Sequence, residues 1–381
     1  MSSASGQFVP VNLAIAQAVK GTSRASSLEV WNMQRLVQHR AVLAVALAGL
    51  VLAACSNAGT SPSATSSAAP SGSAPASAGP SGAATLTPNA NYKVTLVVGQ
   101  NNDPFFVTMA SGAAAEAKKL GITFDWQGPT NYDPTLQIPI LSSVLSAKPQ
   151  FLIVSPTDAN ALVAPLKQFG DAGIPVLNVD TDVSDTSVRL GLITSDNKIG
   201  GKLAAQELAK ILNNTGKVAL LCVPPGITTG ADRKAGFEAE IKTVSGITYV
   251  GSQIYNGSDT TDATRVMNAI LAGTPDLNGV VACDGFAGLG AATAIKGAGK
   301  AGTVKLVSFD AGPDLVAALK DGTISALMIQ RSADIGAMAV DDAVRYLNGD
   351  HSIPQETLVP YVVGTKDNID TPDVQKYLFV P

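Results

Sequence analysis

The sequence predicts an α/β protein of two doubly wound parallel sheets, each covered by helices on both faces. Two observations carry this. From Lys93 onward, short apolar runs alternate with stretches of helical apolar spacing, the pattern of parallel strands joined by crossover helices. About ten such strands fall within roughly 290 residues, which fits two sheets better than one. Taken in order, VTLVVG at 94–99 is an apolar run ending in a polar loop, as expected of a strand buried on both faces. Residues 105–120 then place Val107, Ala110, Ala114 and Ala117 at helical spacing. Strands follow near 122–126, 151–154 and 175–179. A second series lies near 217–223, 248–255, 279–283, 304–309 and 325–330. Helices are predicted over 158–169, 197–212, 231–243, 262–272, 286–297 and 332–347.

Composition narrows the chemistry. Of 381 residues, 46% are apolar and 15% charged. Lys20, Arg24, Glu29, Arg35 and Arg40 are the only charged residues before position 91, so the remaining 22 basic and 29 acidic side chains belong to the folded part. An acidic surface gains nothing from counterion release on DNA or RNA, which argues against nucleic-acid binding. Two histidines and three cysteines leave little material for a zinc site or a His-based triad, and no metal or cofactor is expected.

Residues 41–54, AVLAVALAGLVLAA, form an uncharged apolar run after Arg35 and Arg40. The run is shorter than the ~20 residues needed to span a bilayer. A basic flank, short apolar core and small-residue exit describe a secretory signal over residues 1–54, with Met33 as an alternative start. Its exit, Leu52-Ala53-Ala54-Cys55, resembles the lipobox of bacterial lipoproteins; that resemblance implies lipidation of Cys55 and an anchor on the outer face of the cell membrane. From Cys55 to about residue 90 the chain is almost wholly Ser, Ala, Gly, Pro and Thr, a composition too poor in large apolar groups to fold, and reads as a stalk.

In open parallel sheets, ligands collect beyond the C-terminal ends of strands. Those exits here carry carboxylates, amides and rings: Asp103-Pro104-Phe105-Phe106, Ser155-Pro156-Thr157-Asp158, Asp180-Thr181-Asp182, Asp284-Gly285-Phe286, Phe309-Asp310 and Gln330. Singly, such Asp residues read as helix N-caps; together they suggest one site. Asp103-Pro104-Phe105-Phe106, Ser155-Pro156-Thr157-Asp158, Val179-Asp180, Thr194-Ser195-Asp196-Asn197, Arg233-Lys234-Ala235-Gly236-Phe237, Phe309-Asp310 and Gln330, in that order, resemble the ribose-type periplasmic sugar-binding proteins of bacterial ABC importers over residues 92–365. The resemblance implies the type I periplasmic-binding-protein fold, with two lobes joined by three hinge strands and a sugar enclosed between them. Crossings are expected near Thr194–Asn197, Gln330–Ser332 and Gly364–Asp367, giving one lobe of 91–195 plus 331–364 and another of 196–330 plus 365–381.

Carried over residue by residue, the family's stacking rings match Phe105 and Phe106, and its hydroxyl-accepting carboxylate matches Asp180. Its Arg on the opposite lobe matches Arg233, its Phe-Asp pair matches Phe309 and Asp310, and its late Gln matches Gln330. A carboxylate only accepts and so suits hydroxyl donors; Arg offers a donor fork; Phe covers the C–H face of a sugar ring. The chain departs from the family at Asp103, Ser155 and Asp284, where Asn is usual, and at Thr181, where Arg is usual. The site is therefore expected to be more acidic, favouring a ligand richer in donors than ribose: a polyol, a deoxy or amino sugar, or a similar polyhydroxylated molecule. Asp182 is either a further contact or a turn cap; Trp126 and Tyr132 are either rim contacts or packing.

The implied function is non-enzymatic: a monomeric, lipid-anchored solute-binding protein that closes on its ligand and presents it to a membrane permease. A receptor for a furanose-like signal would use the same closed form. A glycosidase would need one carboxylate pair singled out, and none is. A sugar-responsive repressor would carry a basic helix-turn-helix where this chain has a lipobox and stalk. Gly297-Ala298-Gly299-Lys300 lacks the spacing of a phosphate loop, Gly288-Leu289-Gly290 lacks the third glycine of a dinucleotide fingerprint, and His351 sits in a turn. Asn213-Asn214-Thr215 is a formal sequon with no expected use in a bacterial lipoprotein. Cys222 and Cys283 lie on neighbouring parallel strands, where disulfide geometry is uncommon, and are expected to be buried thiols.

Overall fold

A computed structural model describes residues 86–380. The signal segment with Met33, the lipobox Cys55 and the stalk as far as Thr85 lie outside the described residues.

The first half runs β1 (Lys93–Val97), α1 (Pro104–Leu120), β2 (Thr123–Gln127), α2 (Pro134–Ala147), β3 (Phe151–Val154), α3 (Val163–Asp171), β4 (Val176–Val179) and β5 (Leu192–Ser195). The second runs α4 (Asn197–Ile211), β6 (Gly216–Cys222), α5 (Thr228–Ile241), β7 (Ile247–Ile254), α6 (Thr260–Gly273), β8 (Leu277–Ala282), α7 (Gly285–Gly297), β9 (Lys305–Phe309), α8 (Pro313–Asp321) and β10 (Ala326–Ile329). Then come α9 (Ser332–Leu347), β11 (Glu356–Val359), β12 (Val362–Gly364) and the short α10 (Pro372–Gln375). The strands form two six-stranded sheets, ordered β11-β5-β4-β3-β1-β2 and β12-β10-β9-β8-β6-β7. The second order repeats the first with every index from β1 to β5 raised by five, so the two lobes are topological copies. All pairings are parallel except β10 with β12.

Burial on both faces explains the continuous apolar runs. On β3, Phe151 and Ile153 join the cluster with Met109, Ala113, Ile335 and Ala339 of α1 and α9, while Leu152 and Val154 join Leu141, Leu166 and Phe169 of α2 and α3. The second sheet packs into one large cluster centred on Leu220, Val280, Leu306 and Leu327. Glycine allows α4 and α5 to approach closely: a Cβ on Gly201 would stand 2.0 Å from Arg233 O, and one on Gly236 2.0 Å from Lys198 O. This contact fixes the backbone from which Arg233 projects.

The chain crosses between sheets three times: between β5 and α4, between β10 and α9, and between β11 and β12. The third crossing falls at Pro360-Tyr361, earlier than the Gly364–Asp367 the sequence suggested. Pro360 has no N–H with which to continue a ladder, so β11 ends before it and the chain is free to change sheets. The tail also departs from the expected division. Ile369 and Val374 pack into the second core, but Phe379 joins the first, against Phe105. Helices α2, α8 and the short α10 are additional to those expected, and α3 starts later than 158 because the Asp158 carboxylate caps a turn at Asn160 and Ala161.

Candidate functional site

Strand exits from both lobes converge on one cavity. It holds about 500 Å³ of atom-free space, part of it open to solvent. From the first lobe come Gln100, Asp103, Phe105, Phe106, Tyr132 and Asp180; from the second, Thr229, Arg233, Asp284, Phe286 and Asp310; and Gln330 joins them from the second crossing.

Asp103 and Asp284 are both helix N-caps and cavity residues. Asp103 Oδ1 accepts from Phe105 N (2.9 Å) at the start of α1, and Asp284 Oδ1 accepts from Ala287 N (3.0 Å) at the start of α7. One oxygen of each is thus consumed by the fold, as N-capping requires. Tyr255 OH also donates to Asp284 Oδ1, at 2.5 Å. Asp284 Oδ2 is buried without a hydrogen-bond partner among the described residues. An unfilled acceptor of this kind is costly unless a ligand or water fills it.

Asp180 and Asp310 follow the fourth strand of their respective lobes, and both adopt left-handed backbone, with φ of 63° and 74°. Asp tolerates that region better than most residues, and the turn directs each side chain over the sheet edge. Asp180 O accepts from Thr194 Oγ1 (2.6 Å), and its Oδ2 accepts from Ser155 Oγ (3.3 Å). Asp310 is held at both oxygens: Gly285 N donates to Oδ2 (2.9 Å) and Gln330 Nε2 to Oδ1 (2.7 Å). Gln330 Oε1 in turn accepts from Ser195 Oγ (2.8 Å), which links the first two crossings to the second lobe's carboxylate.

Arg233 is buried at the centre. Its Nε donates to Asn197 Oδ1 (2.8 Å) and Tyr361 OH (3.2 Å), and its Nη1 to Cys283 O (2.7 Å); the guanidinium lies 4.6 Å from the centre of the Phe309 ring. Nη2 makes no hydrogen bond among the described residues. Phe105 and Phe106 meet edge to face at 5.0 Å, and Tyr132 stacks on Phe106 with centroids 6.2 Å apart.

The carboxylates share a poorly solvated space. Burial pushes Asp103 up to about 8; repulsion from Asp310 adds to it, the Phe105 N–H opposes it, and Asp284 and Asp180 add further repulsion. Burial lifts Asp180 to about 7, with Arg233 pulling it down and Asp310 pushing it up. Asp284 rises to about 6 by burial, restrained by Tyr255 and the Ala287 N–H. Asp310 rises for the same reason against Arg233 and Gln330.

Eight of the twelve binding residues expected from sequence line the cavity: Asp103, Phe105, Phe106, Asp180, Arg233, Asp284, Asp310 and Gln330. Four do not. The Ser155 and Thr181 hydroxyls lie 2.9 Å apart, with Thr181 Oγ1 donating to Pro156 O, in a buried network behind Asp180. Asp182 is held by both Arg189 Nε and Nη2 at 2.7 Å and by Asn178 Nδ2 at 2.9 Å, so its carboxylate is turned to neighbours on its own side of the site. Phe309 is fully buried and backs the guanidinium of Arg233. Phe286, read at its strand exit but not among the twelve, lines the cavity too, as do Gln100 and Thr229. Tyr132 resolves as both wall and packing, its hydroxyl bonded to Pro156 O (3.1 Å).

The cysteine reading is overturned: Cys222 and Cys283 form a disulfide. Cys222 ends β6 and Cys283 follows β8, one step beyond the Leu221–Ala282 register pair, and their Cα atoms stand 4.9 Å apart. That separation lies in the bridging range. Both cysteines sit at the C-terminal ends of two adjacent central strands, where β8 has already ended at Ala282 and Cys283 is no longer held by the ladder.

The arrangement can enclose a small molecule with acceptors on several sides, one donor fork and aromatic faces. A periplasmic binding protein domain matches residues 94–351. The ribose import binding protein of Salmonella typhimurium is 33% identical over 271 residues, which is 70% of this chain and 89% of that protein. Among solved structures, a solute-binding protein of an ABC transporter from Agrobacterium vitis, with α-D-tagatopyranose bound, aligns with a TM-score of 0.74 at 36% identity, covering 76% of this chain and all of that one. A second from the same organism, with D-fucose bound, gives 0.71 at 29% identity over 75% of this chain and 99% of its own.

Proposed function

The chain belongs to the periplasmic binding protein domain family, and from that premise we propose that it is the extracytoplasmic solute-binding component of an ABC importer. Its ligand is a small sugar, polyol or related polyhydroxylated molecule, captured by closure of two lobes and handed to a membrane permease. One observation supports this reading above others: Asp180 on one lobe and Arg233 on the other face a single cavity walled by Phe105, Phe106 and Phe286. A ligand touching both lobes binds the closed form preferentially and shifts the protein toward it. Contacts across the lips fit such closure: Ala159 N donates to Gly226 O (3.1 Å), and Asp182 N to Thr228 Oγ1 (3.0 Å).

Above pH 7 the free oxygens of Asp180 and Asp284 are ionised acceptors, which favours a ligand with many hydroxyl or amine donors over ribose. A thermal-shift screen of D-ribose, D-tagatose, D-fucose, myo-inositol and amino sugars, followed by calorimetry, tests this. The expected result is saturable binding of a member other than ribose; stabilisation by ribose alone overturns the donor-rich pocket, and no binding by any member overturns sugar capture. Recovery of the ligand unchanged after incubation is the expected outcome for a carrier, whereas a chemically altered sugar identifies an enzyme. The lipid anchor rests on Leu52-Ala53-Ala54-Cys55: labelled fatty acid is expected on the wild type and lost in Cys55→Ser.

A further inference from the structure

The Cys222–Cys283 disulfide lies in the wall of the cavity rather than in a remote core. Cys283 lines the cavity, and both cysteines are only 1% exposed. It ties together the two segments that build the second lobe's face of the site. Beyond Cys222 the chain supplies Val223, Ile227, Thr229, Gly230 and Arg233; beyond Cys283 it supplies Asp284 and Phe286. Two contacts connect the bridge to ligand-facing groups. Cys283 O accepts from Arg233 Nη1 (2.7 Å), so the position of that carbonyl sets the orientation of the guanidinium. Cys222 Sγ lies 3.5 Å from Gly230 O in the first turn of α5, three residues before Arg233.

We infer that this disulfide is a positioning element of the ligand site: it sets Arg233 and Asp284 for binding, and bound ligand shields it from thiol reductants. The affinity part rests on the sugar-capture reading; the positioning part does not. Reduction by a dithiol is balanced. One reagent thiolate attacks a cysteine sulfur and breaks the S–S bond, the displaced cysteine takes a proton, and the second reagent thiol closes the reagent's own disulfide and releases the other cysteine. Two electrons and two protons pass from the reagent to the protein. A ligand filling the cavity covers the face of it that Cys283 lines and so hinders the attacking thiolate.

The test compares oxidised full-length protein with protein reduced by dithiothreitol, and with the C222S/C283S double variant, by hydrogen–deuterium exchange. Positioning predicts faster exchange confined to segments 223–233 and 284–290. It also predicts about tenfold weaker affinity for the tightest binder among D-ribose, D-tagatose and D-fucose, the scale of one charged hydrogen bond disturbed. That sugar at saturation is expected to slow reduction about tenfold, since exchange follows thiolate access. Unchanged exchange in both segments after full reduction overturns the inference, as does loosening spread over the whole chain, which marks a purely structural bridge. Equal affinities in the two redox states overturn it as well. If none of the sugars binds the oxidised protein, the sugar-capture reading fails while the exchange pattern still decides the positioning claim.

Discussion

Asp180→Asn isolates the charge of the first-lobe carboxylate to which the proposed function assigns the ligand's hydroxyls. The replacement keeps the shape of the side chain, an acceptor for Ser155 Oγ, and tolerance of the left-handed backbone at φ 63°, so the turn after β4 survives. What it removes is the charge on Oδ1, which has no partner among the described residues. A hydrogen bond to a charged group contributes about 1.5–3 kcal/mol and a neutral one about 0.5–1.5, so two hydroxyl donors on this group lose about 2–3 kcal/mol in total. Dissociation constants should rise about 30- to 140-fold. Burial holds Asp180 near 7, so the comparison belongs at pH 8, where the wild type is ionised. At pH 5.5 the wild type is largely protonated and the gap between the proteins should narrow to a few-fold. Calorimetric titration with the tightest-binding sugar at both pH values measures this, with unfolding temperature as the control for folding. Affinity within threefold of wild type at pH 8, in a folded variant, refutes the assigned role.

The remaining expectations concern stability, the donor fork and the lips. Because Asp103, Asp180 and Asp284 have folded pKa values of about 8, 7 and 6 against a reference of 3.8, the folded state binds their protons more tightly than the unfolded chain does. Ligand-free stability should therefore fall as pH rises from 4 to 8, by linkage. Asp103→Asn should flatten that slope and raise the unfolding temperature at pH 8 by several degrees, because the ionised carboxylate is penalised only in the folded state; a slope identical to wild type contradicts the picture. Arg233→Lys keeps the charge but loses the fork that reaches Asn197, Tyr361 and Cys283 together, and affinity should drop more than about 30-fold; calorimetry showing near-normal binding would count against it. Thr228→Val removes the acceptor of the Asp182 N–H across the lips and should speed sugar release about fivefold in stopped-flow fluorescence, for ~1 kcal/mol of a neutral hydrogen bond. An unchanged release rate would mean this contact does not hold the lobes together.

The architecture was legible because its signals are local. Apolar runs such as FLIV at 151–154 record burial on both faces, and the Asp residues that open α1 and α7 punctuate the alternation. Helix α2 was missed because Pro139 interrupts its pattern, although Asp133 caps it and Pro134 opens it as helix starts favour. Strand β11 is exposed at Glu356 and Leu358 and carries no buried run; only its pairing with β5, over 160 residues earlier in the chain, makes it a strand. Site residues at strand exits were found because topology alone brings strand exits together. Ser155, Thr181, Asp182 and Phe309 occupy the same exits, but their side chains turn toward the protein. That direction depends on partners such as Arg189 and Pro156, which lie on other parts of the chain and leave no local pattern. The disulfide was misjudged for a related reason. Neighbouring strands were inferred correctly, but register at the strand ends, which brings Cys222 beside Cys283, is not written in either strand alone.

A crystal structure of the full chain with the ligand that co-purifies, or with the tightest sugar from the screen, tests the central claim most directly. One polyhydroxylated molecule is expected between the sheets, its hydroxyls on Asp180 and Arg233 at once and a C–H face against Phe106. A ligand bound elsewhere, or one held by a single lobe with Asp180 and Arg233 left apart, would contradict it.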